Sequence, residues 1–315
     1  MAPEREQLQR ETETLDRVSD SPRLTPAFVG QWLECVCASF GYGAGFPCAR
    51  VRTFMGAHHL VCVPLLPYAH LDASDAAALA EQHGNSRRVH VRHVAPLNAG
   101  APAGTPVVSV IPLFEWRDAG HFWSEAITSN LRKRIRKAEK DGYAVERSSE
   151  PAAADGFYTL FCATMHRHGT PPFPLALFKE ALARGIGEVV NVRRQDITVV
   201  SYFVLKDPRV ALFMWAGFDP REDAGYASLL GEWESVRAAF ERNCRWFDLG
   251  RAPLGGPAWR HKQYWRPRLF HATCAPPPPA NIYARYAQAA RIWRCLPAGL
   301  ARRIGPWIVR HLPDA

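Results

Sequence analysis

The stretch that decides the fold runs Phe247-Asp-Leu-Gly-Arg251-Ala-Pro-Leu-Gly255-Gly-Pro-Ala-Trp259-Arg-His-Lys262-Gln-Tyr-Trp265. Residues 245–249 alternate as a short strand that ends at Gly250, and 257–264 fit a short helix. Upstream, 228–243 has a helical period, and before it lie three strand-like runs at 188–193, 197–205 and 209–218. Lys206-Asp-Pro208 makes a tight connection between the last two. Helical patterns at 155–168 and 175–184 precede the strands, and a last strand is expected at 269–274. Helices at both ends of a strand run, then strand, helix and strand, predict an α+β domain with a central, mostly antiparallel sheet flanked by helices.

Working outward, Thr25-Pro26 has the form of an N-cap followed by proline at the first helical position, opening a helix to about residue 40 that Gly41-Tyr-Gly-Ala-Gly45 ends. Strands are expected at 49–55, 58–66, 89–94 and 107–113, with an Ala-rich helix at 74–83 and a Gly/Pro/Ala-rich loop at 95–105. Residues 122–141 show the clearest amphipathic period of the first half, with Phe122, Ala126, Ile127, Leu131, Ile135 and Ala138 on one side and Gly142 as the stop. A strand at 143–146 follows. Beyond the sheet, Pro276 to Pro279 reads as a stiff spacer before two tail helices, 282–296 and 300–312. The organisation expected is a disordered polar leader at 1–21, an N-terminal half at 22–145, a C-terminal domain at 146–275, and the spacer and helical tail at 276–315.

The 315 residues are 47% hydrophobic and 22% charged, which suits a globular chain with one large or two medium cores. No apolar run approaches the ~20 residues of a membrane span. The leader has no apolar core of the kind a secretory signal carries, so the reading keeps the protein cytoplasmic. The eight cysteines are scattered without a C-x-x-C pair and read as buried, reduced thiols. His58/His59, His90/His93 and His166/His168 lack a third ligand or a metal-site context, and no metal is expected. The formal charge of +9 favours polyanionic partners: nucleic acid, coenzyme A, nucleotide-sugar or lipid pyrophosphates, or an anionic membrane face. Much of that charge is local, in Asn130-Leu-Arg-Lys-Arg-Ile-Arg-Lys-Ala138 and in the tail arginines.

Four ordered segments carry a family resemblance. Asn130 to Val145 resembles an N-x-R-x-x-I-R-K-A-x-x-x-G-x-x-V helix. Phe157-Tyr158 to Met165-His-Arg-His-Gly169-Thr-Pro171 resembles an F-Y…M-x-x-x-G-T-P segment. Residues 247–265 are similar to an F-D-F-G-R strand followed by an aromatic-x-F-K-x-x-W helix. Trp293-Arg-Cys-Leu-Pro297 with Gly305-Pro-Trp-Ile-Val-Arg310 is similar to a W-x-x-L-P and G-P-x-x-x-R tail. Together these resemble the FemAB-like N-acyltransferases, in particular the subgroup associated with exosortase/PEP-CTERM exopolysaccharide systems. The resemblance covers roughly residue 25 to the end. It departs at His261, where the pattern has Phe, at Arg266, where it has Gly, and in a shorter N-terminal region.

The resemblance implies two GNAT-like (acyl-CoA N-acyltransferase) domains in tandem, the N-terminal one shortened, with the helical tail added. It also implies transfer of an acyl or aminoacyl group to an amino group on a cell-envelope, exopolysaccharide or peptidoglycan precursor. No cofactor would be held permanently; acyl-CoA or aminoacyl-tRNA would serve as the donor co-substrate. Partners would be a nucleotide-linked or lipid-linked glycan precursor, tRNA if the donor is aminoacyl-tRNA, and, through the tail, the inner membrane face.

Such a transfer needs a cradle for donor phosphates, a stabiliser for the tetrahedral oxyanion and a route for the amine proton. By resemblance Lys262 is the lysine beside the donor, with Asp248 and Arg251 as further catalytic candidates. The loop and helix start at Arg221, Gly225, Tyr226, Ala227 and Ser228 is the cofactor-binding candidate, since helix N-termini favour anions. It lacks a clean R/Q-x-x-G-x-G/A match, so an ordinary loop into a helix remains open. Arg132 and Arg136 share one helical face and Lys133 and Lys137 another, and one pair is expected to grip phosphate. His166 and His168 are candidates for the acceptor cleft, and Trp259 and Trp265 for substrate binding. The tail, with Trp293, Leu300, Ile304 and Trp307 among arginines, suits docking on the protein body or on an anionic leaflet. A non-catalytic GNAT-like scaffold in an exopolysaccharide complex is the alternative function. A nucleic-acid-binding role rests on charge alone.

Overall fold

The computed structural model describes residues 21–68, 73–82, 88–222, 224–275 and 282–312. All but Ser21 of the expected leader, the end of the Ala-rich helix at His83, and the Pro276 to Pro279 spacer lie outside the described residues. The first helix, α1 (Pro26–Phe40), starts as its sequence directs: the Thr25 hydroxyl accepts the Phe28 N–H, Pro26 occupies the first turn, and Gly41 closes it in the left-handed conformation. A short meander follows in β1 (Gly43–Gly45), β2 (Cys48–Arg52) and β3 (His58–Cys62), then α2 (Ala73–Gln82), β4 (Val89–Pro96) and β5 (Pro106–Pro112).

The amphipathic stretch expected as one helix at 122–141 is two, α3 (Ala119–Glu125) and α4 (Ser129–Lys140). Each has its own N-cap, Asp118 accepting from the His121 N–H and Thr128 from the Leu131 N–H. Aspartate and threonine compete with helical hydrogen bonding and so favour starts over interiors. The apolar period runs unbroken through the junction because Ala126 and Ile127 are buried with both helices. The chain continues through β6 (Tyr143–Ser148), α5 (Ala153–His168), α6 (Leu175–Ala183), β7 (Gly187–Arg194), β8 (Ile197–Lys206), β9 (Val210–Phe218), α7 (Gly225–Glu241), β10 (Trp246–Pro253), α8 (Pro257–Lys262) and β11 (Arg268–Ala275). The tail forms α9 (Ile282–Cys295) and α10 (Ala298–Val309).

Among the described residues eleven strands join one sheet in the order β1-β2-β3-β4-β11-β5-β10-β9-β8-β7-β6. The fold is thus a mixed α/β architecture on one large sheet. The strands of the two halves are continuous: β10 pairs with β5, and β11 lies between β4 and β5. Strand β6 straddles the boundary expected at 145/146 and forms the far edge against β7. Parallel pairing occurs between β3 and β4 and between β9 and β10.

Each face of the sheet carries its own core. On one side α1, α5 and α6 bury Trp32, Phe157, Phe161, Phe178 and Leu182 against Val189, Phe203, Leu205, Val210 and Leu212. On the other, α3, α4 and α7 bury Phe122, Leu131, Ile135, Leu230 and Val236 against Val190, Val192, Tyr202, Val204 and Phe247. The alternation along β7 and β8 is the period-two pattern of a sheet covered on both sides. The halves are also tied by Asp207 in the β8–β9 turn. Its Oδ2 accepts from the Thr25 amide (2.8 Å) and hydroxyl (2.6 Å), and its Oδ1 from the Arg209 and Val210 amides.

Cys35, Cys48, Cys62, Cys162 and Cys244 are buried as expected; Cys295 is exposed, and Cys37 and Cys274 are half-buried. Among the described residues no three His, Cys, Asp or Glu side chains converge as a metal site, and no helix is long and apolar enough to cross a membrane.

Candidate active site

The sheet is irregular at one level, where β9 and β10 run side by side. Their parallel pairing spans Trp246↔Val210 to Asp248↔Leu212. Just beyond, β9 carries a bulge: Val204 faces Phe213 and Phe203 faces Trp215, leaving Met214 as the extra residue. Consecutive Met214 and Trp215 therefore pack on the same core, and Phe213 and Ala216 on the other. At the same height β10 shifts register against β5 between Asp248 and Arg251, with Gly250 at φ +82°. Residues other than glycine rarely adopt that conformation.

Into this level α8 delivers Lys262. Its ammonium donates to the Gly250 carbonyl (2.8 Å) and the Arg251 carbonyl (3.1 Å). A Cβ on Gly250 would lie 3.6 Å from the Phe213 carbonyl and 3.7 Å from Lys262 Nζ, so the glycine sits between β9 and the ammonium. Burial lowers the Lys262 pKa to about 8; Asp248 and Glu232 pull it back up, and Arg251 pushes it further down. An ammonium has three N–H donors, so two carbonyls leave one for a ligand.

Asp248 is completely buried beneath this lysine. Its Oδ1 accepts the Gly250 N–H at 2.6 Å, while Oδ2 has no hydrogen-bond partner. Burial raises its pKa to about 6, against the opposing effects of the Gly250 amide, the Tyr68 hydroxyl and Lys262. Tyr68 is itself fully buried and its hydroxyl is held well above its ordinary pKa by desolvation, so it remains a protonated donor. It influences Asp248 without reaching full hydrogen-bond geometry.

Glu232 of α7 holds the lysine-bearing turn. Its Oε2 accepts the Trp265 indole N–H (2.6 Å) and its Oε1 meets His261 Nε2 (2.7 Å). That hydrogen bond raises the His261 pKa despite partial burial. Neither Glu232 nor Tyr68 was expected from the sequence. Glu232 had a signal: it is a carboxylate inside the uniformly buried run Leu229-Leu-Gly-Glu-Trp233, a position that demands partners. Tyr68 had none, because it reaches Asp248 across the whole N-terminal half.

The structure brings Lys262, Asp248 and Arg251 together, with Trp259 one helical turn before Lys262. The Trp259 indole N–H is inaccessible to solvent and has no partner. The Arg251 side chain is exposed beside the ammonium it destabilises. Several expected substrate residues are occupied elsewhere. Trp265 is fully buried on Glu232 and is structural. One guanidinium nitrogen of Arg132 donates to the Trp123, Ser124 and Ile127 carbonyls, completing the open end of α3. Arg136 lies over the Trp123 ring. The cationic side chains of α4 that approach the α7 and α8 region are instead Lys137, over Tyr226, and Arg134, over Tyr264. His166 Nε2 donates to the Leu296 carbonyl (2.9 Å), and Gly169 lies directly under Ala290. The segment carrying His166 and His168 therefore docks the tail rather than lining a cleft beside Lys262; it ends α5, on the opposite face of the sheet from α7.

The phosphate-cradle candidates divide similarly. Arg221 is folded back on Asp219 through its amide, Nε and Nη2, a pairing that holds the Asp219 carboxyl below the usual range and shapes the turn. Gly225, Tyr226, Ala227 and Ser228 do form the first turn of α7, whose N-cap residue, Ala224, makes no side-chain cap. Seven residues separate Gly225 from Glu232, roughly 10 Å along the axis. The start of α7 and Lys262 thus frame a span with an anion-favouring end and an ammonium end.

Residues 126–263 match the family described as acetyltransferase (GNAT) domain. No curated protein sequence matches the chain. Among solved structures, that of FemX superposes with a TM-score of 0.55 at 13% identity, covering 78% of this chain and 92% of that one. The C-terminal DUF2156 domain of a putative lysylphosphatidylglycerol synthetase from Agrobacterium fabrum superposes with a TM-score of 0.50 at 12% identity, covering 84% and 95%. The chain accordingly has a FemAB-like GNAT fold, and the segment matched as a GNAT domain contains β9, α7, β10 and Lys262.

Proposed function

We propose that this protein is an N-acyltransferase that passes an acyl or aminoacyl group to an amino group of a cell-envelope precursor, with Lys262 as its central catalytic residue. The observation that carries this reading is the Lys262 ammonium, seated on the Gly250 and Arg251 carbonyls over buried Asp248, where the parallel pair β9/β10 stops pairing. In the transfer, the acceptor amine nitrogen bonds to the donor carbonyl carbon, and the negative charge collects on the carbonyl oxygen. The C–S bond of a thioester or the C–O bond of an ester then breaks. The departing sulfur or oxygen takes a proton, and the amine loses one to water. Lys262 offers its remaining N–H to the oxyanion or the leaving atom. Asp248 is a positioning residue whose charge favours the charged form of Lys262. Donor phosphates would lie at the first turn of α7, with Lys137 above Tyr226 nearby.

The two halves are read as tandem GNAT units, the N-terminal one short, with boundaries near 22–145 and 146–275. The ordered motifs favour an exopolysaccharide or peptidoglycan precursor as acceptor, on the cytoplasmic side of the envelope. The test is transfer of label from acetyl-CoA and, separately, from charged tRNA to amino-sugar nucleotides and lipid-linked glycan extracts, read by mass spectrometry. A labelled amide formed by the wild type and lost in Lys262→Met supports the reading and identifies the donor. No transfer from either donor, or transfer that Lys262→Met leaves intact, overturns it.

A further inference from the structure

The tail helix α10 has two apolar faces where docking needs one. Its inner face is accounted for: Ala301, Gly305 and Val309 are buried, a Cβ on Gly305 would meet Pro172 Cδ at 2.3 Å, and Arg302 lies over the Tyr158 ring. On the outer face, Leu300 is 45% exposed and Trp307 57% exposed, with Ile304 half-buried between them at helical spacing. This stripe meets the β2–β3 hairpin tip, which presents Phe54 at 54% and Met55 at 96% exposure. The two elements are fixed to each other. Phe54 packs on Trp307 (5.3 Å between centroids) and His311 (4.6 Å), and the His311 ring nitrogen meets the Arg52 carbonyl at 2.8 Å. The apolar surface is thus assembled from segments about 250 residues apart in sequence, and held rigid.

Its electrostatics name the occupant. No aspartate or glutamate occurs between Cys35 and Leu71, nor between Leu249 and Pro313, so both elements lie in stretches without an acid. Arg52, Arg303 and Arg310 are exposed around the apolar centre. Tryptophan, phenylalanine and methionine at the centre with arginines at the rim is the composition that seats at the headgroup boundary of an anionic bilayer. We infer that α10 and the β2–β3 hairpin together form a peripheral docking surface for an anionic lipid membrane. Insertion of Met55, Phe54 and Trp307 supplies apolar burial, and the arginines supply attraction to the headgroups. The inference is independent of the transferase reading, since docking needs neither donor nor acceptor.

The test is co-sedimentation of the full chain with vesicles of equal parts phosphatidylglycerol and phosphatidylcholine, against pure phosphatidylcholine. The expected result is binding to the anionic vesicles that weakens as salt is raised. It should fall by at least about tenfold in Met55→Ser/Trp307→Ser and in Arg303→Glu. These side chains are exposed, and an unchanged thermal unfolding curve for each variant excludes misfolding as the cause. Equal sedimentation with both vesicle types, or binding that the variants leave unchanged, overturns the inference. So does a concentration-dependent dimer that Met55→Ser/Trp307→Ser abolishes, which would make a second copy the occupant.

Discussion

Lys262 owes its lowered proton affinity first to burial, and Asp248 and Glu232 then act against that burial. Replacing Asp248 by Asn removes a negative charge that favours the charged lysine, so the Lys262 pKa should fall further below about 8. The high-pH limb of the activity profile should move down with it. A profile of kcat/KM against pH for Asp248→Asn checks the movement. Glu232→Ala leaves the buried Trp265 N–H without an acceptor and should cost about 2 kcal/mol of stability, read by urea unfolding. The cost should depend on pH. His261 has its pKa raised by Glu232, so its contribution is complete below the unfolded value and is lost as pH rises through the folded one. The penalty of Glu232→Ala should therefore be larger in mild acid than in base. At this scale the grouping of Lys262, Asp248 and Arg251 was legible because one sequence motif carries all three. The contacts of Arg132 and Arg136 were not, because a basic helix face looks the same in sequence whether it meets phosphate, carbonyls or a tryptophan ring.

Between elements, contact depends on residues small enough to let backbone meet backbone. Gly217 on β9 has α5 directly over it: an added Cβ would stand 2.5 Å from the Phe161 nitrogen and 2.6 Å from the Leu160 carbonyl carbon. Backbone atoms of a buried helix cannot yield as a flexible side chain does, so Gly217→Ala should destabilise by roughly 3 kcal/mol, measurable by thermal or urea unfolding. Gly231→Ala meets only the Tyr202 ring and a Val192 methyl and should cost less. Most elements were legible from period and caps; α1 starts at Pro26 and ends at Phe40, where its Thr-Pro and Gly signals place it. One exception was β1, which lies inside the glycine-rich stretch read only as a helix stop; another was the break between α3 and α4. Its apolar stripe continues without interruption, and only the capping hydroxyl of Thr128 and the three-carbonyl reach of Arg132 mark the discontinuity.

Across the whole molecule, the long-range register was the least legible part. Sequence patterns place β5, β10 and β11 as strands, but nothing local says that β11 returns between β4 and β5, or that all strands join one sheet. That closure puts Tyr68 from the first half against Asp248 from the second, and the tail against both α5 and the β2–β3 hairpin. The central claim concerns what this arrangement does at Lys262. Its most direct test is the initial rate of amide formation from the accepted donor, measured across the pH range for the wild type and for Lys262→Met. The account predicts a wild-type rate that falls above about 8, and a loss of about 100-fold or more in the variant below that pH, narrowing above it as the wild-type ammonium is itself lost. A variant that keeps the wild-type rate, or a wild-type profile with no fall above about 8, would contradict it.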